Sequence, residues 1–311
     1  MLIVTELPNS LQQFNPETSA ELPQMDGGDE IREAIRQEEH QPGSGGVLTL
    51  TPVRERRGPW LQFRVPHGFE WNRYELPIES LPPHLDGFRI VQLTDLHFKA
   101  FWSRTYDKLA DRVNQANADV VLITGDFVDS KTHGPSQQAP YAIRFVEKLR
   151  ARLGIYGILG NHDGDLVGPY LPKSGIKMLN GGPLEITPGM EFIAIAEVAR
   201  EDFDWGMIDQ IEPKQPGVVR IVATHYPDTL RKLGQIRPDI VLAGHTHGGQ
   251  ICLPGGIPLI WHDSLPKHIC HGVHRIGPTW LVVSRGLGFT SLPVRAWCPT
   301  EVIEIVLRRA N

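Results

Sequence analysis

Five short motifs, each placed just after an apolar run, carry side chains that could bind metal ions. The motifs are Asp95-Leu96-His97, Gly125-Asp126-Phe127-Val128-Asp129, Gly160-Asn161-His162-Asp163, the single His225, and Gly244-His245-Thr246-His247-Gly248. The carboxylates, imidazoles and one carboxamide of these motifs are ligands for hard or borderline divalent cations. The motifs lack the thiolates of a structural zinc site. This set of ligands suffices for two divalent cations that lie close together.

A centre of two cations would support the hydrolysis of a phosphoester. One carboxylate has to be shared, because it offsets the repulsion between ions that lie about 3.5–4 Å apart. A hydroxide held between the ions is a potent nucleophile near neutral pH, and the same ions absorb the charge that builds on the phosphoryl oxygens. The sequence therefore predicts a metal-dependent hydrolase of phosphoester or pyrophosphate bonds.

Strands have to bring these distant motifs together. The apolar runs that precede Asp95, Asp126, Asn161, His225 and His245 each predict a strand, and they are residues 88–93, 120–123, 155–159, 218–223 and 240–243. In α/β sheets, ligands collect at the carboxyl ends of the strands. Loops that are far apart in the sequence can therefore converge on one point.

Strand and helix signals alternate up to Gly181, and strands dominate after it. Helical patterns at residues 104–116 and at about 139–153 separate the first three strands, which indicates a buried and largely parallel sheet. The later half of the chain adds strands with little helix between them. We therefore expect an α/β fold in which two sheets pack face to face as a β-sandwich flanked by helices.

Residues 1–57 have the composition of a flexible segment. They are rich in Pro, Gly, Gln and Glu, and residues 1–46 contain nine Asp or Glu and two Arg, a net charge of -7. Their scattered apolar residues predict disorder or loose docking, although residues 29–39 could form a short helix that would be marginal alone. We expect a flexible acidic N-terminal segment over residues 1–57 and the catalytic domain over residues 58–311.

Composition argues against several classes of protein. Because the whole chain carries a formal charge of -5, the part after residue 46 carries about +2, which disfavours nucleic-acid binding through a broad basic face. Cys252, Cys270 and Cys298 are an odd number without CxxC spacing, which favours free thiols in a reducing compartment. We expect neither a membrane helix nor a secretory signal, and the sequence predicts a cytoplasmic protein.

An aromatic cluster at residues 59–74 allows two interpretations. Its rings are Trp60, Phe63, Phe69, Trp71 and Tyr74. An edge hairpin could pack these rings onto the domain, or they could form an apolar lip that touches a lipid or nucleotide substrate. Core packing is the favoured interpretation.

The order of the five motifs resembles that of the calcineurin-like metallophosphoesterase superfamily, over about residues 88–307. Three later stretches further resemble its YkuE-like bacterial branch, and they are Gly248-Gly249-Gln250, Ser284-Arg285-Gly286-Leu287-Gly288 and Leu292-Pro293-Val294-Arg295. The resemblance implies the four-layer αββα arrangement of a metallophosphatase. Members of that branch often carry an N-terminal anchor or export signal, from which this chain departs.

The resemblance also implies a role for each matching residue. One ion would be held by Asp95, His97 and His247, the other by Asn161, His225 and His245, and Asp126 would bridge them. The cofactors would be two divalent ions, either Mn, Fe or Zn. His162 would stabilise the phosphoryl group and protonate the leaving alkoxide, work suited to an imidazole. Asp163 would orient His162, and Asp129 is either a further acceptor or a turn carboxylate.

Three residues outside the motifs are candidates for substrate binding. Arg285 follows a strand in a Gly-rich turn from which it could reach a phosphate, although a structural role is equally compatible, and Arg295 is similar. His271 belongs to a run of histidines, with His262, His268 and His274, that we expect to face substrate or solvent rather than bind a third metal ion.

The expected partner is a small phosphorylated substrate. An alternative is a pyrophosphatase of the UDP-2,3-diacylglucosamine type, which would act on a lipid-linked substrate while peripheral to a membrane surface. A catalytically silent binding scaffold is a further alternative, but such proteins usually lack some ligands, and here none is missing.

Overall fold

The computed structural model describes residues 29–44, 46–129, 134–196 and 203–310. Their strands, numbered in chain order, are β1 (Leu48–Leu50), β2 (Val53–Arg54), β3 (Leu61–Phe63), β4 (Glu70–Ile78), β5 (Arg89–Leu93), β6 (Val120–Thr124), β7 (Gly154–Ile158), β8 (Lys177–Met178), β9 (Gly181–Thr187), β10 (Met190–Ile195), β11 (Val219–Thr224), β12 (Ile240–Ala243), β13 (Cys252–Leu253), β14 (Ile257–Pro258), β15 (Gly272–Ile276), β16 (Thr279–Val283), β17 (Val294–Ala296) and β18 (Glu301–Arg309). The α-helices are α1 (Asp29–His40), α2 (Arg104–Gln115), α3 (Pro135–Lys148), α4 (Gly164–Val167) and α5 (Gly206–Asp209). Short 3-10 turns connect several of these elements.

Fourteen strands form two seven-stranded mixed sheets. The first has the order β1-β15-β16-β12-β11-β10-β9, and the second has the order β2-β4-β18-β5-β6-β7-β8. Strands β5 to β8 are parallel to one another, as are β10, β11, β12 and β16. The largely parallel character predicted for the first half is therefore confirmed.

Three apolar clusters define the layers. Side chains of both sheets, such as Ile90 and Ile221, fill the space between the sheets. The opposite face of the second sheet, including Val91, packs on α2 and α3, and the outer face of the first sheet, including Val222, packs on α1 and on 3-10 turns. Neighbouring residues of one strand are thus buried on both faces, which explains the continuous apolar runs. The expected αββα sandwich is confirmed.

The N-terminal region differs from the expectation of flexibility over its described part. Helix α1 forms and buries Ile31, Ala34 and Ile35 against the first sheet. Strand β1 pairs with β15, and β2 pairs with β4. The apolar stripe of α1 is short, but the outer face of the sheet supplies the partner that an isolated helix lacks. Residues 1–28 lie outside the described residues.

The aromatic residues of the 59–74 region divide into two groups. Trp71 and Tyr74 are buried in β4, as core packing predicts. Trp60 and Phe63 are 55% and 51% exposed, on and next to β3, which pairs with β17. Core packing is therefore confirmed for Trp71 and Tyr74, whereas contact of the exposed rings with a substrate stays a prediction.

In the part of the chain that the structure describes, no helix has both the length and the apolar character needed to cross a bilayer.

The docking of α1 can be tested by truncating Ile35, which is completely buried. Ile35→Ala should lower the free energy of unfolding by about 2–5 kcal/mol, because it leaves a cavity under the helix. Gln37→Ala on the exposed side of α1 is the matched control. Urea denaturation measures both variants, and equal stabilities would show that α1 is not packed on the sheet.

Candidate metal centre

The five motifs meet at one end of the sandwich because each follows a strand. Asp95, Asp126 and Asn161 come after β5, β6 and β7, which are neighbours in the second sheet. His225 and His245 come after β11 and β12, which are neighbours in the first sheet. Hydrogen bonds join the two sets across the sandwich, since the backbone N–H of His245 donates to the Asp95 carboxylate at 3.1 Å. The convergence predicted from the strand ends is observed.

Asp95, His97, Asp126 and His247 form one buried group whose ligand atoms all lie within 4.8 Å of one another. His97 Nε2 lies 3.3 Å from Asp126 Oδ2, and His247 Nε2 lies 3.2 Å from Asp95 Oδ1. The two Nε2 atoms are 3.0 Å apart. Two imidazole nitrogens and two carboxylates that point at one small volume are the donor set of a divalent cation.

Asn161, His225 and His245 form a second set on the other side of Asp126. Asn161 Oδ1 lies 3.1 Å from both His225 Nε2 and His245 Nδ1. His225 Nε2 also lies 3.3 Å from Asp126 Oδ2, and its Nδ1 lies 2.9 Å from the carbonyl of Thr124. If Nδ1 donates to that carbonyl, the lone pair of Nε2 is left to face the Asp126 carboxylate.

The charges of the site fit a pair of cations. Asp95, Asp126 and Asp163 are fully or almost fully buried carboxylates at the same end of the sandwich. Buried carboxylates need a cation or hydrogen-bond donors. Among the described residues, the nearby guanidinium of Arg295 donates to His247 Nδ1 at 2.9 Å. Buried His97 Nδ1 also has no hydrogen-bond partner.

The pKa values of the imidazoles suit ligation. Burial lowers the pKa of His97 to about 3 and that of His247 well below its usual value, so both rings are neutral, as metal ligands must be. Burial also opposes the charged form of His225, but the nearby Asp126 charge outweighs it and raises the pKa of His225 to about 10. A cation bound by His225 therefore has to displace a proton.

The backbone of the ligand loops is strained. Five of the seven predicted ligands have positive φ: Asp95 (49°), His97 (42°), Asp126 (55°), His245 (66°) and His247 (51°). Residues other than glycine rarely adopt this region, at a cost of about 1–3 kcal/mol each, and such residues cluster at functional sites. The packing of the surrounding loops has to hold these conformations.

His162 lies beside the ligands and not among them. It is 5% exposed, its ring stands edge-on to that of His97, and its backbone N–H donates to Asp126 Oδ1 at 2.9 Å. Its Nδ1 lies 3.6 Å from Asp129 Oδ1, and Asp129 also contacts the ammonium group of Lys99. Of the two interpretations of Asp129, the structure thus favours an acceptor for His162.

Asp163 is placed differently from its predicted role. Its carboxylate accepts four backbone N–H bonds, from Asp126, Phe127, Val128 and Gly160, at 2.7–3.2 Å. It fixes the loop that carries Asp126, and the carboxylate next to the His162 ring is Asp129. The orienting role predicted for Asp163 toward His162 is therefore corrected to a role in holding the bridging residue.

A second buried group of potential ligands comprises His97, Asp129 and His162. It shares His97 with the first group, so the two are not independent. Lys99 already supplies a positive charge to Asp129, which disfavours a further cation there. The side chains that remain for a second ion are therefore Asn161, His225 and His245, next to Asp126.

A cavity of about 450 Å³ opens over this centre. Asp126, Asn161, His162, His245 and His247 reach its surface. Its remaining wall is formed by Tyr226, Trp261, His262, Asp263, Ser264, Thr290 and Ser291. Apart from His262, sequence reasoning did not identify these wall residues, because the loops that carry them have no motif.

The three residues predicted to bind substrate do not line this cavity. Buried Arg285 donates to Glu70 and Glu301 at 2.6 and 2.7 Å, so its charge is already paired within the protein. Buried Arg295 donates to His247 Nδ1 at 2.9 Å and to the carbonyl of Arg285 at 2.8 Å. The His271 carbonyl contacts His274 Nε2. The predicted substrate contacts of Arg285 and Arg295 are therefore corrected, because both guanidinium groups are engaged within the protein. The substrate contact predicted for His271 stays a prediction.

The sequence model of the calcineurin-like phosphoesterase family matches residues 88–249, slightly more than half of the chain. The chain belongs to the calcineurin-like phosphoesterase family. The matched residues include all seven predicted ligands and His162. The resemblance that the motif order indicated is thereby confirmed.

Among individual phosphoesterases, the chain is 28% identical over 264 residues to the uncharacterized metallophosphoesterase YkuE of Bacillus subtilis, a match that covers 81% of this chain and 90% of that protein. It is 30% identical over 258 residues to a transmembrane protein with a metallophosphoesterase domain from Danio rerio, and spans 56% of its length. A dimetal phosphatase of known structure from Danio rerio aligns with a TM-score of 0.40 and 11% identity, over 65% of this chain and 88% of that one.

The role of Asp163 can be separated from that of Asp129 by metal analysis. Asp163→Ala leaves four buried N–H groups unpaired, so it should cost at least about 3 kcal/mol of unfolding free energy and lower the metal content of the purified protein. Asp129→Ala is the matched control and should retain its metal. A metal content and stability unchanged in Asp163→Ala would contradict the loop-holding role.

Proposed function

We propose that the protein is a metal-dependent hydrolase of phosphoester or pyrophosphate bonds. The observation that carries this proposal is the position of Asp126 at the base of the cavity. Its Oδ2 lies 3.3 Å from the Nε2 atoms of both His97 and His225, which belong to different sets of ligands. A carboxylate that serves two sets of imidazoles at once is what a pair of cations requires.

The proposed ligands divide as the resemblance implies. Asp95, His97 and His247 would hold one ion, Asn161, His225 and His245 the other, and Asp126 both. Their identity, Mn, Fe or Zn, is open, because nitrogen and oxygen donors suit all three metals. When bound, such ions would neutralise charge on the phosphoryl oxygens and acidify water.

His162 is proposed as the general acid. Asp129 lies beside its Nδ1, so a proton on Nδ1 would point toward that carboxylate and the ring would turn Nε2 to the cavity. A proton on Nε2 could then pass to the oxygen of the leaving group. The separation of 3.6 Å is long for a hydrogen bond, but catalytic hydrogen bonds often shorten only when substrate binds.

The proposed substrate is a small phosphorylated molecule, since the cavity of about 450 Å³ lies within the usual range for small-molecule sites. A lipid-linked substrate, as in the UDP-2,3-diacylglucosamine alternative, is favoured by exposed Trp60 and Phe63. Cytoplasmic location, with or without contact to a membrane surface, stays a prediction. A silent scaffold is disfavoured, because every predicted ligand is at the centre.

Metal dependence is the first test of this proposal. The purified protein should hydrolyse an activated aryl phosphodiester or monoester with added Mn²⁺, lose turnover with a chelator and regain it with metal. Asp126→Asn should remove most activity and lower the metal content, whereas Asp209→Asn, a matched change at an exposed carboxylate, should do neither. Absence of bound metal together with absence of turnover under any added metal would refute the proposal.

Replacement of His162 tests the acid separately. His162→Ala should keep the metal content and lower kcat by roughly 10²–10⁴-fold, as expected when general acid catalysis is lost. The loss should shrink for a substrate whose leaving group needs no proton, such as p-nitrophenolate. A kcat equal to that of the wild type on alkyl leaving groups would contradict the assigned role.

A further inference from the structure

A second cavity, of about 200 Å³, opens beside the catalytic cavity. The two share four wall residues, His247, His262, Thr290 and Ser291. We call this second cavity the apolar groove, because Ile251, Leu259, Ile260 and Leu292 form much of its wall. It contains no Asp, Glu, Lys or Arg side chain. A ligand that fills both cavities therefore has a phosphate at one end and an uncharged portion at the other.

The aliphatic wall of the apolar groove is open to solvent. Leu259, Ile260 and Leu292 are 52%, 62% and 55% exposed. Single exposed aliphatic residues are common on protein surfaces, whereas several around one depression mark an interaction site. Displacement of water from the groove by an apolar group is therefore favourable.

Two polar side chains of the groove, Gln250 and Thr246, are engaged by the protein, since the Thr246 hydroxyl donates to the Cys270 carbonyl at 2.7 Å. The Gln250 amide donates to the carbonyls of Thr290 and Leu292 at 2.9 and 3.0 Å and accepts from the Thr290 N–H at 2.9 Å. These bonds fix the loop that carries Leu292. A polar ligand chain would find little to replace its bonds to water, so an aliphatic chain fits the groove better than a sugar or a peptide.

Further exposed apolar side chains lie in and beside β3 and β17. Strand β17 begins two residues after Leu292, and its Val294 is opposite Phe63 of β3. Trp60 lies before β3 and packs its ring on that of Trp297, 5.2 Å away. Ile251 of the groove wall pairs with Ala296 of β17, so a chain longer than the groove would meet the exposed rings of Trp60 and Trp297 next to it.

We propose that the apolar groove binds the aliphatic chain of an amphiphilic phosphoester whose phosphate lies in the catalytic cavity. This inference rests on the proposed function, since it identifies the substrate class of the same site. The size of the groove sets the length of chain that it encloses. An apolar cavity of about 150 Å³ accepts benzene, so about 200 Å³ encloses on the order of six to eight carbons.

Inhibition by n-alkyl phosphates tests the proposal. Methyl phosphate and octyl phosphate have the same head group, and both should compete with the aryl substrate of the metal-loaded protein. Octyl phosphate, below its micellar concentration, should have a Ki at least about 100-fold lower, because several methylenes leave water. Calorimetric titration of the same two compounds gives the ratio of their Kd values without turnover.

Variants of groove residues and a matched control show whether the preference for octyl phosphate arises in the groove. Leu259→Gln and Leu292→Gln should each reduce the ratio of methyl to octyl phosphate inhibition several-fold. Leu184→Gln, at a leucine of β9 that is 44% exposed, should keep the ratio of the wild type. Because the ratio is measured within one protein, a change in total active protein does not affect it.

Negative results for the groove can be distinguished from negative results for the proposed function. Hydrolysis of the aryl substrate combined with equal Ki values for the two phosphates would overturn the groove and leave the proposed function standing. A ratio that falls equally in Leu184→Gln would also overturn it. Absence of all metal-dependent hydrolysis would refute the proposed function, and the calorimetric ratio would then decide the groove alone.

Discussion

The structure depends on the burial of several carboxylates at one end of a sandwich whose two sheets are otherwise apolar. Asp126 makes this arrangement useful, because its carboxylate lies at the boundary between two sets of potential ligands. Asp163 makes it possible, because it fixes the Asp126 loop through four backbone N–H groups. Asp163 is satisfied by its four donors, whereas Asp95 and Asp126 accept backbone N–H bonds from His245 and His162 and also face imidazole nitrogens, as the ligands of a cation do.

The geometry of the centre requires both the strands and the loops. Parallel strands bring the motifs to one edge of each sheet, and left-handed backbone at five of the predicted ligands turns their side chains toward a common point. Small neighbours are needed for this, since a Cβ at Gly160 or Gly244 would overlap Asp126 or Asp95. Arg295 holds His247 from behind. The strain of the ligand loops is thus balanced by buried hydrogen bonds, and the rigid sheets keep the ligands in register.

The strands and the convergence of the motifs could be predicted from the sequence. Apolar runs such as residues 120–123 indicate strands directly, and the motifs mark where those strands end. The roles of Asp163 and Arg285 could not be predicted, since each depends on partners that only the folded loops supply. Asp163 looks like a partner of its neighbour His162, but its acceptors face the backbone of residues 126–128. The docking of α1 is hidden from the sequence for a similar reason, because its short apolar stripe is stabilised by a sheet face built from distant residues.

The central claim, that Asp126 is shared by two cations, is tested most directly by electron paramagnetic resonance of the protein loaded with Mn²⁺. Ions about 3.5–4 Å apart and joined by a carboxylate are magnetically coupled. The account predicts the spectrum of a coupled manganese pair, replaced by that of isolated ions when Asp126 is changed to alanine. A fully loaded wild-type protein that gives only the spectrum of isolated ions would contradict it.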